Sequence, residues 1–454
     1  MRLPGARGAL ALLLFINLFN YLDRQVLSAV VGPIQQTYFG AHGAASDSAA
    51  LKEFQAWTHA HFGFEPELAL IGVLSMAFMV VYMIGAPIFG RLAGHRSRWW
   101  LIGVGVILWS LASGASGLAA TFVGLLLTRC FVGVGEAAYG PVAPTLIADF
   151  FPVERRGRAL AWFYMAIPVG SALGYVVGNL VANSSIGALG ERLFGFHAES
   201  WRWAFFLVVP PGLALGILSF LRREPPRGQA DAGGVIRASK PRWSDYLLLL
   251  RNRSYVLCTL GMTAMTFAIG GIAFWMPYYL SQKPGASPNA TTIFGAITCV
   301  SGLIATLLGG LAGDKLRGRF PGAYFLVSGA AMFLGFPFMI LMLRAPFPLV
   351  WVYSFATVFC LFFNTGPTNT ILANVTHPSI RAAAFALNIF VIHALGDVIS
   401  PVIIGILSDR YTMNSAFMVV GVMYLVAGVF WFLGARHLAR DTARASEAPT
   451  VSLT

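Results

Sequence analysis

The chain has 454 residues, 57% of them hydrophobic and only 11% charged, with a mean hydropathy of +0.71. A water-soluble protein carries roughly 25% charged residues, so this composition excludes one and indicates a polytopic membrane protein. The formal charge of +13 calls for no nucleic acid, because loop position explains where the basic residues fall.

Apolar runs of about 20 residues are the length a bilayer core demands. Twelve occur, at roughly 9–31, 68–92, 99–120, 121–148, 158–182, 202–221, 254–281, 291–313, 321–343, 347–374, 381–408 and 413–435. The first resembles a signal peptide, but it continues through Asn17, Asn20, Asp23 and Arg24 with no cleavage site, so it reads as a retained helix. In the connection 32–67, Leu51, Phe54 and Trp57 fall at helical spacing and predict a small surface helix.

The fourth run carries Arg129 and Glu136 into the hydrocarbon, two turns apart and therefore on one helix face. A charge at bilayer depth costs at least ~2.5 to 3.5 kcal/mol, so such a pair marks a pathway or a paired site. Gly140-Pro141 and Pro144 then loosen the helix, and a basic turn follows at 154–158.

Residues 222–253 form the one long cytoplasmic connection, in which Trp243 to Leu250 predicts an interfacial amphipathic helix. The predicted organisation is an N-terminal six-helix bundle over 1–221, a cytoplasmic linker over 222–253 and a C-terminal six-helix bundle over 254–437. A disordered cytoplasmic tail is expected over 438–454. An even number of crossings puts both ends on one side. The loops and helix edges of that side hold 23 of the 31 Lys and Arg, which places both termini in the cytoplasm. Cys130, Cys258, Cys299 and Cys360 lie in apolar runs at spacings that suit neither a disulfide nor a metal. No nucleotide loop or Ser-His-Asp order accompanies the intramembrane acids. Neither a cofactor nor an enzymatic reaction is expected.

The halves repeat. Gly140-Pro141 leading into Thr145-Leu146-Ile147-Ala148-Asp149 is answered by Gly366-Pro367 leading into Thr370-Ile371-Leu372-Ala373-Asn374. Ser171-Ala172-Leu173-Gly174 is answered by His393-Ala394-Leu395-Gly396, and Gly90 by Gly310. Six-helix repeats of this kind predict an all-α membrane protein with the major facilitator fold, its site between the halves.

The motifs are more specific still. Asn20-Tyr21-Leu22-Asp23-Arg24, Gly133-Val134-Gly135-Glu136-Ala137, Ala166-Ile167-Pro168-Val169-Gly170-Ser171 and His393-Ala394-Leu395-Gly396-Asp397 together resemble the Spinster family of that superfamily. In animal members the resemblance implies lysophospholipid or sphingosine-phosphate cargo moved by alternating access; bacterial relatives keep the fold and the acids. It implies a monomer in a bacterial inner membrane whose partners are protons, the bilayer and a small-molecule or lipid substrate. Gating falls to Gly90, Arg91, Asp149, Arg158, Asp314 and Asp397. The chain departs from the superfamily at Gly90-Arg91-Leu92-Ala93-Gly94-His95, where Gly94 stands in place of the loop acid and implies a weaker cytoplasmic gate.

Counting ~1.5 Å of rise per residue puts Asp23 and Arg24 level with Arg129 and Glu136 two turns deeper. The expected pair is therefore Asp23 with Arg129. Burial drives a carboxyl toward its neutral form, so Asp23 and Glu136 are the candidates for proton coupling. Arg24 and Arg129 would hold an anionic headgroup, because guanidinium matches phosphate or carboxylate bidentately. Tyr139, Tyr164, Asn364 and His393 complete the predicted substrate set. The predicted function is proton-coupled movement, by symport or antiport, of an amphipathic anionic molecule. A proton-coupled carrier of organic anions or drugs with the same fold is the alternative.

Overall fold

The computed structural model describes residues 5–40, 49–195, 198–227, 243–377 and 380–447. The linker stretch 228–242 and the tail end 448–454 lie outside them. Eleven helical runs among the described residues are long and apolar enough to cross a membrane. The remaining crossing is the fourth, split into Phe122–Ala137 and Ala143–Phe150, neither of which spans by itself. Prolines explain the break: Pro141 and Pro144 lack the N–H groups that would reach the carbonyls of Ala137 and Gly140.

The tenth crossing repeats the device. Leu349–Phe362 stops before Thr365–Asn374, and Pro367 has no N–H for the Phe363 carbonyl. The Gly-Pro pairs that reveal the sequence repeat thus mark equivalent breaks in the two halves. The eleventh crossing is interrupted differently. Arg381–Ile392 passes into a π turn, His393–Asp397, before Ser400–Arg410. There the Val398 N–H bonds to the His393 carbonyl, five residues back, at 3.1 Å.

The chain forms two compact units: residues 1–235 with 273–296 and 401–413, and residues 236–272 with 297–400 and 414–454. The first draws on both halves of the sequence, because parts of the seventh, eighth and eleventh crossings pack into it, whereas the second comes from the C-terminal half alone. In that unit the first helix, Ala6–Ala29, lies along the fifth, Val153–Ala182, over a glycine ladder. Gly170 and Gly174 face the carbonyls of Leu18 and Leu22, and Gly178 faces Ala29. Small residues at four-residue spacing let two backbones touch, which drives helix association where lipid is as apolar as leucine. Asp409 accepts from the Leu68 and Ala69 N–H groups at 2.9 and 2.8 Å and caps the second crossing, Glu67–Leu92. In the second unit, close approach recurs between the seventh and eleventh crossings, where Gly270 meets Asp397 and Ser400 and Gly396 meets Thr266.

The surface helix expected between the first two crossings is present as Ala49–Phe62, with Leu51 buried and Phe54 stacked on Trp57. The amphipathic helix of the linker is Trp243–Arg251; Leu249 is buried while Leu247, Leu248 and Leu250 stay exposed. A further short helix, Ile186–Phe194, was not foreseen.

The tail corrects an expectation. Instead of disorder from 438 onward, Leu438–Glu447 is a helix. Its polar composition hides one anchoring edge: Leu438 and Asp441 are buried, and Asp441 accepts from the Ser254 N–H and hydroxyl at 2.9 and 2.8 Å. Burial by itself would raise the Asp441 carboxyl, but Ser254 and the neighbouring Arg440 guanidinium hold it below its ordinary value. A depressed carboxylate contributes stability above its unfolded value and loses it only as pH falls through the folded one, so this clasp holds throughout the neutral range.

Candidate functional site

Four of the residues singled out in the sequence converge in the first unit: Asp23 and Arg24 from the first helix, Arg129 and Glu136 from the fourth. Asp23, Arg129 and Glu136 are 1–2% exposed, whereas 18% of the Arg24 side chain reaches open surface. The pairing differs from the expected one. Arg24 donates through Nε and Nη2 to Glu136 Oε2 at 2.7 and 2.6 Å, while Asp23 accepts from the Ser113 hydroxyl of the third helix. Two simplifications misplaced the pair. Rise counted along straight parallel helices ignores tilt, and a guanidinium lies several ångströms from its own Cα. Ser113 sits in an unremarkable Ala-Ser-Gly-Ala-Ser-Gly run, so no local signal marked it as the partner of Asp23.

Aromatic faces frame the Arg24 guanidinium, with the rings of Phe78, Tyr21 and Tyr82 at 4.9, 5.0 and 5.4 Å. Arg129 also lies over the Phe78 ring, 6.0 Å from its centroid. The cluster holds two acids and two arginines, balanced in charge but not in hydrogen bonds. Arg129 Nε and Nη1, Asp23 Oδ2 and Glu136 Oε1 are buried without hydrogen-bond partners. Buried polar atoms are nearly always satisfied, so four orphans in one cluster mark a place that is built for something other than stability.

The remaining predicted binding residues are dispersed. Tyr139 is buried and donates to the Leu13 carbonyl at 2.7 Å, so its hydroxyl is engaged in holding the fourth helix on the first. Tyr164 is half exposed and edges against Phe163. In the second unit Asn364 is fully buried at the break of the tenth crossing. Its amide donates to the Cys360 and Leu361 carbonyls while its own carbonyl oxygen has no partner. His393 Nδ1 sits 2.9 Å from both oxygens of Asp397, one turn away on the π turn.

Of the predicted gating residues, Asp149 is the most firmly tied. Arg98, 4% exposed, reaches Asp149 at 2.5 Å and Glu224 at 2.6 Å, and also touches Thr145 and the Pro225 carbonyl. Asp314 accepts from the Tyr324 hydroxyl at 2.7 Å. Arg91 and Arg158 are exposed, and Gly90 lies against Pro141. Where the loop acid is missing, Arg227 of the linker donates to the carbonyls of Ala93, Gly94 and Arg96. That contact was invisible in the sequence because it joins residues more than 130 positions apart. Replacing Arg98 with Ala leaves two acids facing each other in a largely dry pocket. We expect a loss of about 3–5 kcal/mol, read by thermal unfolding in detergent, with Lys giving only partial rescue because it lacks the fork.

Twelve crossings, paired proline breaks and a buried charge cluster define a transporter of the major facilitator type. The profile of the Major Facilitator Superfamily matches residues 13–396. Protein spinster homolog 3 of Danio rerio is 36% identical over 422 residues, covering 88% of this chain and 76% of that protein. Protein spinster homolog 1 of Homo sapiens is 36% identical over 436 residues, covering 90% and 75%. The chain belongs to the Spinster family of the major facilitator superfamily, a family of multi-pass membrane transporters and not of enzymes. The same fold is seen in the crystal structure of a bacterial homologue of the human lysosomal transporter Spinster, in an inward-facing and unoccupied conformation. That match has a TM-score of 0.83 at 22% identity and covers 97% of this chain and 99% of that one.

Proposed function

We propose that this protein is a proton-coupled secondary transporter of an amphipathic, anionic, lipid-like molecule of the lysophospholipid or sphingolipid type. It works by alternating access in a bacterial inner membrane, with both termini cytoplasmic. The observation that carries the reading is the four-residue cluster: an arginine whose side chain is partly exposed, tied to a carboxylate that is not, beside a second arginine with unsatisfied donors. Proton uptake by Glu136 weakens its hold on Arg24. The freed guanidinium then matches a phosphate or carboxylate headgroup, and the rings of Tyr21, Phe78 and Tyr82 offer an apolar wall to the hydrocarbon part of the cargo. Asp23 and Arg129 supply the second acid and cation of the same exchange. Binding of cargo and uptake of the proton are thereby linked through one side chain, as differential affinity requires.

Purified protein in liposomes with an imposed pH gradient tests this directly. Lysophospholipid is expected to move in response to the gradient and to stop when it is collapsed. Movement indifferent to the gradient removes proton coupling. Gradient-driven movement of hydrophilic organic anions, with lysophospholipid ignored, removes the lipid-like cargo.

A further inference from the structure

The second unit has a cavity that shares no lining residue with the Asp23–Glu136 cluster. It lies where the linker helix Trp243–Arg251, the start of the seventh crossing, the stretch around His377 and the tail helix Leu438–Glu447 meet. Its volume is about 420 Å³, within the ~300–1,000 Å³ of ordinary ligand sites. Arg251, Arg253, Arg440 and Arg444 line it together with His377, and Asp441 is the one acid among its lining residues. That acid is already engaged, one oxygen with Ser254 and the other with Arg440.

Basic residues on this side of the chain are expected; their convergence is not. The arginines come from the linker helix, the seventh crossing and the tail, segments separated by nearly 190 positions. Two contacts hold these segments together: Asp441 pins the tail helix to Ser254, and the Asn252 amide donates to the Val375 carbonyl at 2.9 Å. The apolar part of the lining comes from Leu248, Leu249 and Val375. Next to it, Leu247, Leu248 and Leu250 are exposed beside a membrane-crossing helix, the arrangement of an interfacial helix that lies in the headgroup layer. A concave basic cluster beside an acyl-compatible surface has the chemistry to take a lipid phosphodiester.

We propose that this cavity binds the headgroup of an anionic phospholipid from the leaflet that the arginine-rich loops face, with its acyl chains over the exposed leucines. Guanidinium forks from three segments close on the phosphate, so the lipid ties the linker and the tail to the transmembrane bundle. The site is separate from the Asp23–Glu136 cluster and does not depend on what that cluster transports.

The test is native mass spectrometry of the full-length protein in detergent with phosphatidylglycerol or phosphatidylcholine added. Phosphatidylglycerol should be retained preferentially, and R440A/R444A should weaken that retention about tenfold. Inorganic phosphate at millimolar concentration should fail to displace the lipid. Equal retention of phosphatidylcholine, unchanged retention in the variant, or full displacement by inorganic phosphate would each overturn the assignment. Because Arg440 touches Asp441, R444E provides a second reading on an exposed side chain free of that contact. It must lower retention of phosphatidylglycerol with the unfolding temperature unchanged.

Discussion

Glu136→Gln is expected to abolish accumulation of cargo driven by a pH gradient, down to the level of empty liposomes. The side chain of Glu136 is fully buried, and one of its oxygens takes both Arg24 contacts. Glutamine keeps the shape and one acceptor but can neither carry the charge nor exchange a proton, so Arg24 is released in every state and the linkage disappears. The substitution also leaves a guanidinium without its counter-ion. Breaking a buried pair costs about 3–5 kcal/mol, and the cost here falls below that range because Arg24 is 18% exposed and framed by three aromatic rings. Folding and function are therefore separable. An unfolding temperature that falls modestly together with complete loss of gradient-driven uptake supports the mechanism. A variant that still concentrates cargo against the gradient rules out Glu136 as the coupling site.

Gly174→Leu should strongly destabilise the first unit. A Cβ there would press on the Leu22 carbonyl and come within 2.7 Å of the Gln25 Cβ, both in the first helix. Backbone cannot move aside as a flexible side chain can, so we expect at least ~3 kcal/mol of destabilisation, beyond the ordinary range for overpacking. The damage reaches the site by a short route. Leu22 directly precedes Asp23 and Arg24, so separating the two helices withdraws both charges from Ser113 and Glu136. Gly174→Ala, with one methyl, should lower the unfolding temperature less and weaken uptake before it prevents folding. Thermal unfolding and liposome flux on the same preparations read the two effects. A Leu variant with wild-type stability would show that the helices do not touch there.

Much of this architecture is legible in one dimension, and the particulars show why. Eleven of the twelve predicted crossings end within a few residues of the observed helices, because a bilayer accepts only long apolar segments whose backbone bonds are satisfied internally. Proline chemistry is equally local: Gly140-Pro141 and Gly366-Pro367 lack the donors a continuous helix needs, so the breaks in the fourth and tenth crossings arise from the chain itself. The four charged residues could likewise be chosen in advance, since an ionisable side chain in hydrocarbon is too costly to occur without a role.

Their partners could not. Whether Glu136 meets Arg24 or Arg129, whether Asp23 turns to Ser113, and whether Arg227 reaches the Gly94 loop depend on helix tilt and rotation. Those are set by glycine contacts between segments far apart in the chain, such as Gly174 with Leu22 and Gly405 with Leu68. The π turn that carries His393 and the docking of a polar tail through Asp441 are decided in the same way. Composition and spacing determine which segments enter the membrane and which residues are too costly to be there idly. Tertiary packing alone determines which of those residues touch, because a hydrogen bond is won or lost over about an ångström and no one-dimensional pattern carries that precision.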